Sequence, residues 1–283
     1  MRSRSVKHLL NEASRRLTHS GVDTPRLNAE ILLAHAMQSS RSMLIAHPEV
    51  VPTEDQIALF RQWIELRAKR VPLAYIYGSR GFYGLEFEVT PAVLIPRPET
   101  EVLVETTIRL LGDKPCVVAD LGVGSGAIAV SLAVSLPEAQ LYCTDTSREA
   151  LDVARRNAQK HGVGDRIHLR EGNLLEPLDD LSFHAIVSNP PYVRSGDVDT
   201  LPAEVRDFEP RAALDGGPDG LDSLRAIAQD GPEFLAPGGA LLLEVGDGQA
   251  PGVEEMLRGR LVRVETHRDY AGRARIVTGR KDG

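Results

Sequence analysis

The chain has 283 residues, of which 42% are hydrophobic, so it can bury the core of one large domain or of one large and one small domain. Its formal net charge of −7 is uneven: residues 1–80 carry 12 Lys/Arg and 7 Asp/Glu, a net +5, whereas the remainder carries 21 and 33, a net −12. No 18-residue apolar run predicts a transmembrane helix, and nothing is basic enough to require nucleic acid as a partner.

The first 75 or so residues are predicted to form a small bundle of helices. Apolar residues recur at helical spacing from Val6 to Leu17. Thr24 followed by Pro25 predicts the cap and first turn of a second helix, and Thr53 to Gln56 fits a capping box that begins a third. The positive charge of this module indicates either a solvated helical face or a surface that docks an acidic partner or RNA.

Glycine and proline interrupt the helical pattern in residues 76–98, which are predicted to link two modules. Phe82 to Thr90 alternates well enough to predict a short β-hairpin within this linker. Thr100 to Leu111 then reads as a helix, so the second module is predicted to span residues 99–283.

From Pro115 onward, strands alternate with helices. The predicted strands are 116–120, 140–144, 167–171, 183–188, 240–245, 261–267 and 274–279, and the predicted helices are 127–136, 148–161 and 221–235. Such alternation implies parallel βαβ units. The fold is therefore predicted to be α/β, with a mostly parallel seven-stranded sheet, helices on both faces and a possible terminal hairpin.

A glycine loop, Gly122 to Gly126, follows the first strand of this sheet, where open α/β sheets bind ligands. Asp145 ends the next strand, about 20 residues on, where a carboxylate typically accepts hydrogen bonds from ribose hydroxyls. The pair predicts an adenosine cofactor without deciding which, because Gly122-x-Gly124-x-x-Ala127 also fits a dinucleotide-binding loop. The alternatives are a tight turn without a ligand and, for Asp145, a helix cap.

Ser188-Asn189-Pro190-Pro191-Tyr192 ends the fourth strand in a rigid loop, since proline has a fixed φ and cannot donate to the sheet. The Asn189 side-chain carbonyl and the Pro190 backbone carbonyl can accept both hydrogens of an NH₂ group, and Tyr192 offers an aromatic face. This pattern predicts that a planar nitrogen is oriented toward an electrophile. The alternative is a plain strand-ending turn.

Cys116 and Cys143 are the only cysteines, and both lie in apolar runs. They are predicted to be buried, reduced thiols of a cytoplasmic protein, and no metal site is expected. The basic stretch Met1–Asn11 lacks an apolar region and a cleavage site of small residues, so no secretory signal is expected. We further expect a monomer that does not bind membranes.

Asp120-Leu-Gly122-Val-Gly124-Ser-Gly126 resembles the first motif of class I S-adenosylmethionine-dependent methyltransferases, which have a Rossmann-like fold. The acidic residue of that motif shapes the loop near the methionine end of the cofactor. Asn173 and Leu174 occupy the positions at which this family contacts adenine. Asn173 could form a hydrogen bond with the edge of the adenine ring, but Leu174 offers only apolar contact. The resemblance places the cofactor against Asp120, Gly122, Val123, Gly124, Ser125, Gly126, Asp145, Asn173, Leu174 and Asn189.

Nearly the whole chain resembles the HemK/PrmC family of release factor glutamine-N5 methyltransferases. The matching motifs are Ile95–Glu101, Asp120–Gly126, Ser188–Tyr192, Glu209–Leu214 and Gly217–Leu221. The resemblance implies a helical N-terminal domain that helps to dock class I peptide chain release factors. It also implies methylation of the glutamine in their Gly-Gly-Gln motif by S-adenosyl-L-methionine, with S-adenosyl-L-homocysteine as product.

By the same resemblance, Asn189, Pro190 and Tyr192 are the catalytic residues, and together with Pro191 they bind the substrate glutamine. Arg97 and Glu99 either line the cofactor pocket or form a structural ion pair at the linker.

Three other functions remain open at this point. An adenine-N6 or cytosine-N4 nucleic-acid methyltransferase would use the same chemistry on a flipped base but would need a strongly basic cleft. The net −12 of the second module argues against it, so no direct nucleic-acid binding is expected. A nicotinamide-dependent oxidoreductase has support only from the glycine loop. A non-catalytic binding module is disfavoured by intact Asp120, Asp145 and Asn189.

Overall fold

A computed structural model describes residues 4–283, so the first three residues of the basic stretch Met1–Asn11 lie outside the described part. Its helices are α1 Val6–His19, α2 Pro25–Ala36, α3 Arg41–Ala46, α4 Glu54–Ala68, α5 Leu73–Tyr77, α6 Glu101–Leu111, α7 Ala127–Ser135, α8 Arg148–Lys160, α9 Ala203–Arg206, α10 Asp222–Phe234 and α11 Ala250–Arg258. Its strands are β1 Ser79–Phe82, β2 Leu85–Glu88, β3 Cys116–Leu121, β4 Ala139–Asp145, β5 Ile167–Glu171, β6 Phe183–Ser188, β7 Leu235–Glu244, β8 Val262–Arg268 and β9 Ala274–Arg280. None of the described helices is long and apolar enough to cross a membrane.

The chain divides into two compact units. Unit 1 contains the described residues up to Gly78 together with Pro202–Phe208, and unit 2 contains Ser79–Leu201 and Glu209–Gly283. The chain therefore leaves unit 2 after the Asn-Pro-Pro-Tyr loop, contributes a short segment to unit 1 and returns.

Unit 1 is a bundle of helices with its own apolar core. α1 buries its predicted apolar stripe and packs with α2 and α4. The predicted capping box of α4 is confirmed: Thr53 Oγ1 accepts from the Gln56 N–H at 3.3 Å, and Gln56 Oε1 accepts from the Thr53 N–H at 2.9 Å. Both orphan donors at the start of the helix are thereby satisfied.

Two ion pairs within unit 1 hold the short α9. The guanidinium groups of Arg67 and Arg70 each donate to the Glu204 carboxylate at 2.8 Å. Burial alone would raise the pKa of Glu204, but the hydrogen bonds from both arginines lower it below its ordinary value. A segment far along the sequence thus belongs to unit 1, which the helical periodicity of the first 75 residues does not reveal.

Thr24 does not cap α2, contrary to the prediction. Its φ of +46° lies in the left-handed region, whereas a capping side chain needs an extended backbone. Its hydroxyl and carbonyl oxygens instead accept from Asn28 Nδ2 at 3.2 and 3.1 Å. Pro25 is the first residue of the helix, as predicted.

Unit 2 is built on a seven-stranded sheet in the order β5-β4-β3-β6-β7-β9-β8. The first five of these strands are parallel, and β9 runs antiparallel to both β7 and β8, which confirms the terminal hairpin. The strand order reverses at β3, so the crevice expected of a doubly wound sheet lies at its carboxyl end.

Alternate residues of the central strands enter two different apolar cores. Val118 of β3 and Val187 of β6 belong to the core that includes α6, α7 and α8. Ala119 of β3 and Ile186 of β6 belong to the core that includes α10 and α11. Strands buried on both faces read as continuous apolar runs, and the predicted α/β fold with helices on both faces is confirmed. Cys116 and Cys143 are buried in these strands, and burial raises the pKa of both thiols.

The β-hairpin lies at β1 and β2, a few residues before its predicted position at 82–90. Tyr83 and Gly84 have φ of +49° and +72° and form its two-residue turn. The first strand therefore precedes Phe82. Asn157 of α8 holds the second strand, because its Oδ1 accepts from the Glu88 N–H at 2.7 Å and its Nδ2 donates to the Glu88 carbonyl at 2.9 Å.

Asn157 should contribute strongly to stability, since Nδ2 also donates to the Ser125 carbonyl at 2.8 Å and the side chain is fully buried. Asn157→Ala should lower the free energy of unfolding by about 2–4 kcal/mol, because buried backbone groups lose their partners. Gln159→Ala, at an exposed position of the same helix, should change it by less than about 0.5 kcal/mol. Urea unfolding of both variants checks this, and equal losses would contradict it.

Candidate active site

The glycine loop turns directly into α7. Gly126 has φ of +80°, and a Cβ at this position would lie 3.2 Å from Ala154 Cα, so a side chain would be both strained and crowded. The N–H groups of Gly122 and Val123 each donate to the Thr144 carbonyl at 2.9 Å. The loop is therefore tied to the end of β4, which carries the neighbouring acidic residue.

Asp145 points its carboxylate into this loop. Oδ2 accepts from the Gly124 N–H and Oδ1 from the Ser147 N–H, both at 2.9 Å. The alternative interpretation of Asp145 as a helix cap is wrong, because Ser147 caps α8 by accepting from the Ala150 N–H at 3.1 Å. Each carboxylate oxygen retains a lone pair for a further donor such as a ribose hydroxyl.

Asp120 lies beneath the loop. It is fully buried, its Oδ2 accepts from the Ala129 N–H at 3.1 Å, and its Oδ1 has no hydrogen-bond partner among residues 4–283. Burial, together with the nearby charge of Asp145, raises the pKa of Asp120 to about 7, although the hydrogen bond from the Ala129 N–H opposes the rise. This carboxyl supports the first turn of α7 from below.

A cavity of about 440 Å³ opens at the carboxyl ends of β3, β4 and β6. Most of the predicted site residues line this cavity, namely Gly122, Val123, Gly124, Ser125, Asp145, Asn173, Leu174, Asn189 and Pro191. Asp120, Gly126, Pro190 and Tyr192 are not part of its wall. Its lining is largely apolar with a few polar groups, as small-molecule sites usually are.

The cavity also has walls that the motifs alone did not assign. Phe82 of the hairpin, Ala212 and Ala213 contribute to it, as do the linker residues Val93, Leu94, Pro96 and Arg97. Pro96 and Arg97 belong to the motif Ile95–Glu101, and Ala212 and Ala213 belong to the motif Glu209–Leu214. Arg97 was already a candidate for lining a pocket, whereas the other residues have side chains without recognisable binding chemistry, so only their contact with the cavity reveals them.

Asn189 reaches the cavity from the end of β6. Its Nδ2 donates to Thr100 Oγ1 at 3.1 Å, and the preceding Ser188 hydroxyl donates to the Leu121 carbonyl at 2.7 Å. With Nδ2 engaged, the Asn189 Oδ1 is the end of the amide that can accept from a ligand.

Tyr192 packs inside unit 2 rather than on the cavity wall. Its backbone carbonyl accepts from Gln249 Nε2 at 3.0 Å, and its ring lies close to Gly246, where an added Cβ would be 3.1 Å from Cδ2. Burial raises the pKa of the Tyr192 phenol to about 12, so the ring is neutral at ordinary pH. In this arrangement the tyrosine anchors the loop.

Asn173 and Leu174 occupy the part of the cavity beside β4. Leu174 has φ of +47°, and its carbonyl accepts from the Thr144 hydroxyl at 2.8 Å. Asn173 Nδ2 donates to Glu176 Oε1 at 3.1 Å. Both residues line the cavity, one with a polar and one with an apolar side chain.

Arg97 lines the cavity and also forms an ion pair, in which its partner is Glu209. Its guanidinium donates to Glu209 Oε1 at 2.6 Å, and Oε2 accepts from the Ile95 N–H at 3.1 Å. The Glu209 side chain is only 2% exposed. This pair joins two cavity-lining segments, and Arg97 itself lines the cavity whereas Glu99 does not.

Comparison with known proteins gives matches over nearly the whole chain. Residues 8–78 match the PrmC N-terminal domain, and residues 98–205 match the methyltransferase small domain. The chain is 46% identical over 276 residues to the release factor glutamine methyltransferase of Moorella thermoacetica, covering 96% of each. It is 45% identical over 277 residues to that of Geobacter sulfurreducens, covering 98% of this chain and 96% of the relative.

The solved structure of a methyltransferase from Pyrococcus furiosus is similar with a TM-score of 0.54 and 18% identity, over 71% of this chain and 90% of that one. At this identity the likeness concerns the fold, and it agrees with the predicted Rossmann-like methyltransferase architecture.

Arg97→Ala should destabilise unit 2 more than Glu209→Gln. The first change leaves a buried carboxylate without its cation and should cost about 2–4 kcal/mol, whereas glutamine can still accept from Ile95 and should cost about 1 kcal/mol. Arg148→Ala, which breaks an exposed pair with Glu171, should have a smaller effect than either of these changes, because solvent screens exposed ion pairs. Urea unfolding of the three variants gives the order, and a reversed order would refute this account of the pair.

Proposed function

The chain belongs to the family of release factor glutamine methyltransferases, as its resemblance to the HemK/PrmC family predicted, and we propose that it methylates the side-chain amide nitrogen (N5) of the Gly-Gly-Gln glutamine in class I peptide chain release factors. The observation that carries this proposal is that Asn189 and the glycine loop line one cavity. A nitrogen-orienting group and a nucleoside-binding loop are thereby close enough to serve one reaction.

We propose S-adenosyl-L-methionine as the methyl donor. The donor set fits it: the Asp145 carboxylate suits ribose hydroxyls, Asn173 and Leu174 suit adenine, and the glycine loop suits the methionine portion. When bound, it supplies an electrophilic methyl group on a sulfonium, and it leaves as S-adenosyl-L-homocysteine. Asp120 would act from beneath by holding the loop in shape.

The amide nitrogen of glutamine is a poor nucleophile because its lone pair is delocalised. Asn189 Oδ1 and the Pro190 carbonyl would accept its two N–H groups and turn the lone pair toward the methyl group. The cavity would exclude water from this arrangement. No general base is required before attack, because the nitrogen becomes acidic once it is methylated and then loses a proton.

The charge distribution supports a protein substrate over a nucleic acid. Residues 81–283 carry the net −12, whereas a base-flipping enzyme needs a basic cleft. We propose that the basic helical N-terminal domain, predicted as residues 1–75, docks the release factor. The linker would be residues 76–98 and the catalytic domain residues 99–283. We further propose that the enzyme acts as a monomer in the cytoplasm, where release factors work.

Purified enzyme given S-adenosylmethionine and a release factor should add the mass of one methyl group to the Gly-Gly-Gln peptide. Mass spectrometry of the digested release factor measures this gain. A release factor with alanine in place of that glutamine is the matched control and should gain nothing. Transfer to DNA or RNA, with the release factor unchanged, would favour the adenine-N6 or cytosine-N4 alternative.

Asn189→Ala should reduce kcat by about 100-fold or more, because substrate orientation is lost, while the affinity for S-adenosylhomocysteine stays within about threefold. Asp145→Asn should instead weaken the affinity for S-adenosylhomocysteine by about tenfold, because a carboxylate acceptor is lost. Titration calorimetry and single-turnover rates separate the two effects. Normal turnover by Asn189→Ala would disprove the role given to this residue.

A further inference from the structure

Two buried polar residues, Thr100 and Glu244, are connected to the Asn189 side chain by hydrogen bonds, and Thr100 itself lines the cavity. Glu244 ends β7, the strand beside β6, and is 1% exposed; Thr100 precedes α6 and is 4% exposed. The Thr100 hydroxyl is hydrogen-bonded to the Glu244 carboxyl and accepts from Asn189 Nδ2 at 3.1 Å. Glu244 Oε2 has no hydrogen-bond partner within the part of the chain that the structure describes.

Stability does not explain a carboxyl in this place. Burying a carboxylate with incomplete hydrogen bonding destabilises a fold, and leucine or glutamine would occupy the same position at lower cost. The adjoining residues of β7, Leu241 to Leu243, are fully buried and apolar. Glu244 therefore ends an apolar stretch of β7 with a buried carboxyl that is hydrogen-bonded to Thr100.

The Glu244 carboxyl determines the direction of the hydrogen bonds between Thr100 and Asn189. The two ends of an asparagine amide have nearly the same shape, so packing alone does not decide which end faces the cavity. A threonine hydroxyl has a single proton, and an ionised carboxylate can only accept. Thr100 must therefore donate to Glu244 and accept from Asn189, which leaves Asn189 Oδ1 for the substrate.

We infer that Glu244 and Thr100 are positioning residues that fix the Asn189 amide with its oxygen toward the substrate NH₂ group, an inference that rests on the proposed role of Asn189. Without them the amide can turn and present its own NH₂, which cannot accept from the glutamine.

The orientation of the Asn189 amide should depend on pH, because it depends on the charge of Glu244. Burial raises the pKa of Glu244 to about 7; the Thr100 bond, Arg275 and Arg97 oppose the rise, and Glu99 adds to it. Tyr192 also lies within electrostatic range, as a neutral phenol. A protonated Glu244 can donate to Thr100, whose own proton can then go to Asn189 Oδ1. The productive orientation is thus fixed above the pKa and is lost as the pH falls below it.

The test compares Thr100→Val, Thr100→Ser and Glu244→Gln with the wild-type full-length enzyme. Thr100→Val should lower kcat for release factor methylation by about 10- to 100-fold, and Thr100→Ser, which keeps the hydroxyl, should stay within about threefold. Glu244→Gln should lower kcat by about 5- to 20-fold at high pH, since glutamine can both donate and accept. It should abolish the decline in rate on acidification through the Glu244 pKa.

Two further measurements separate positioning from a structural role. Affinity for S-adenosylhomocysteine should stay within about threefold in all three variants, and Glu244→Gln should unfold at no lower urea concentration than the wild type. Equal losses in Thr100→Val and Thr100→Ser, or an unchanged pH profile in Glu244→Gln, would overturn the inference. So would a loss of rate that is fully explained by weaker cofactor binding.

An NMR measurement tests the orientation of the Asn189 amide independently of methylation activity. The side-chain NH₂ signals of Asn189, assigned by their absence from Asn189→Asp, should shift in the ¹⁵N–¹H spectrum with a midpoint near the Glu244 pKa in the wild type. They should stay constant in Glu244→Gln. Identical titration in both proteins would overturn the inference even if methylation is normal. A wild type that titrates as expected but leaves the release factor unmethylated would refute only the proposed function.

Discussion

β3 pairs in parallel with β4 on one side and with β6 on the other, so Leu121 stands in register with both Thr144 and Ser188. The loops that follow these three strands therefore emerge together, and they carry the glycine loop, Asp145 and Asn189. A slip of one residue in either pairing would present the opposite face of a strand to the crevice. The apolar cores on the two faces of the sheet fix the register, and in doing so they fix the relative positions of the groups that surround the cavity.

Carboxylates around this crevice are buried to different degrees and have different partners. Asp145 accepts from two backbone N–H groups, and Glu209 accepts from Arg97 and from a backbone N–H. Asp120 and Glu244 each have one oxygen without a partner among the described residues, and burial raises the pKa of both to about 7. Buried groups with incomplete hydrogen bonding are costly, and such residues concentrate at functional sites. Of these two carboxyls, Asp120 precedes the glycine loop by two residues, and Glu244 is linked to Asn189 through Thr100.

The sequence alone predicted those features of the structure that depend on interactions between residues close together along the chain. The capping box of α4, the strands buried on both faces and the glycine loop were all predictable from neighbouring residues. α11 escaped prediction because Pro251 and Gly252 weaken its helical pattern, and Thr24 failed as a cap because its backbone is left-handed. The bond between Thr100 and Asn189 spans 89 positions and carries no motif of its own. Such a contact depends on how α6 and β7 pack beside β6, which no local pattern encodes.

An amide nitrogen needs hydrogen-bond acceptors more than it needs a base, because its lone pair must be turned rather than deprotonated. An acceptor is only useful if its orientation is fixed, and an asparagine amide is ambiguous in this respect. A buried anion removes the ambiguity, since it accepts from the hydroxyl and thereby dictates which end of the amide the hydroxyl must bind. A buried carboxylate lowers the stability of the fold, and in unit 2 the two apolar cores offset this cost. The sheet that positions the residues of the site thus also holds Glu244, the buried carboxylate that orients the Asn189 amide.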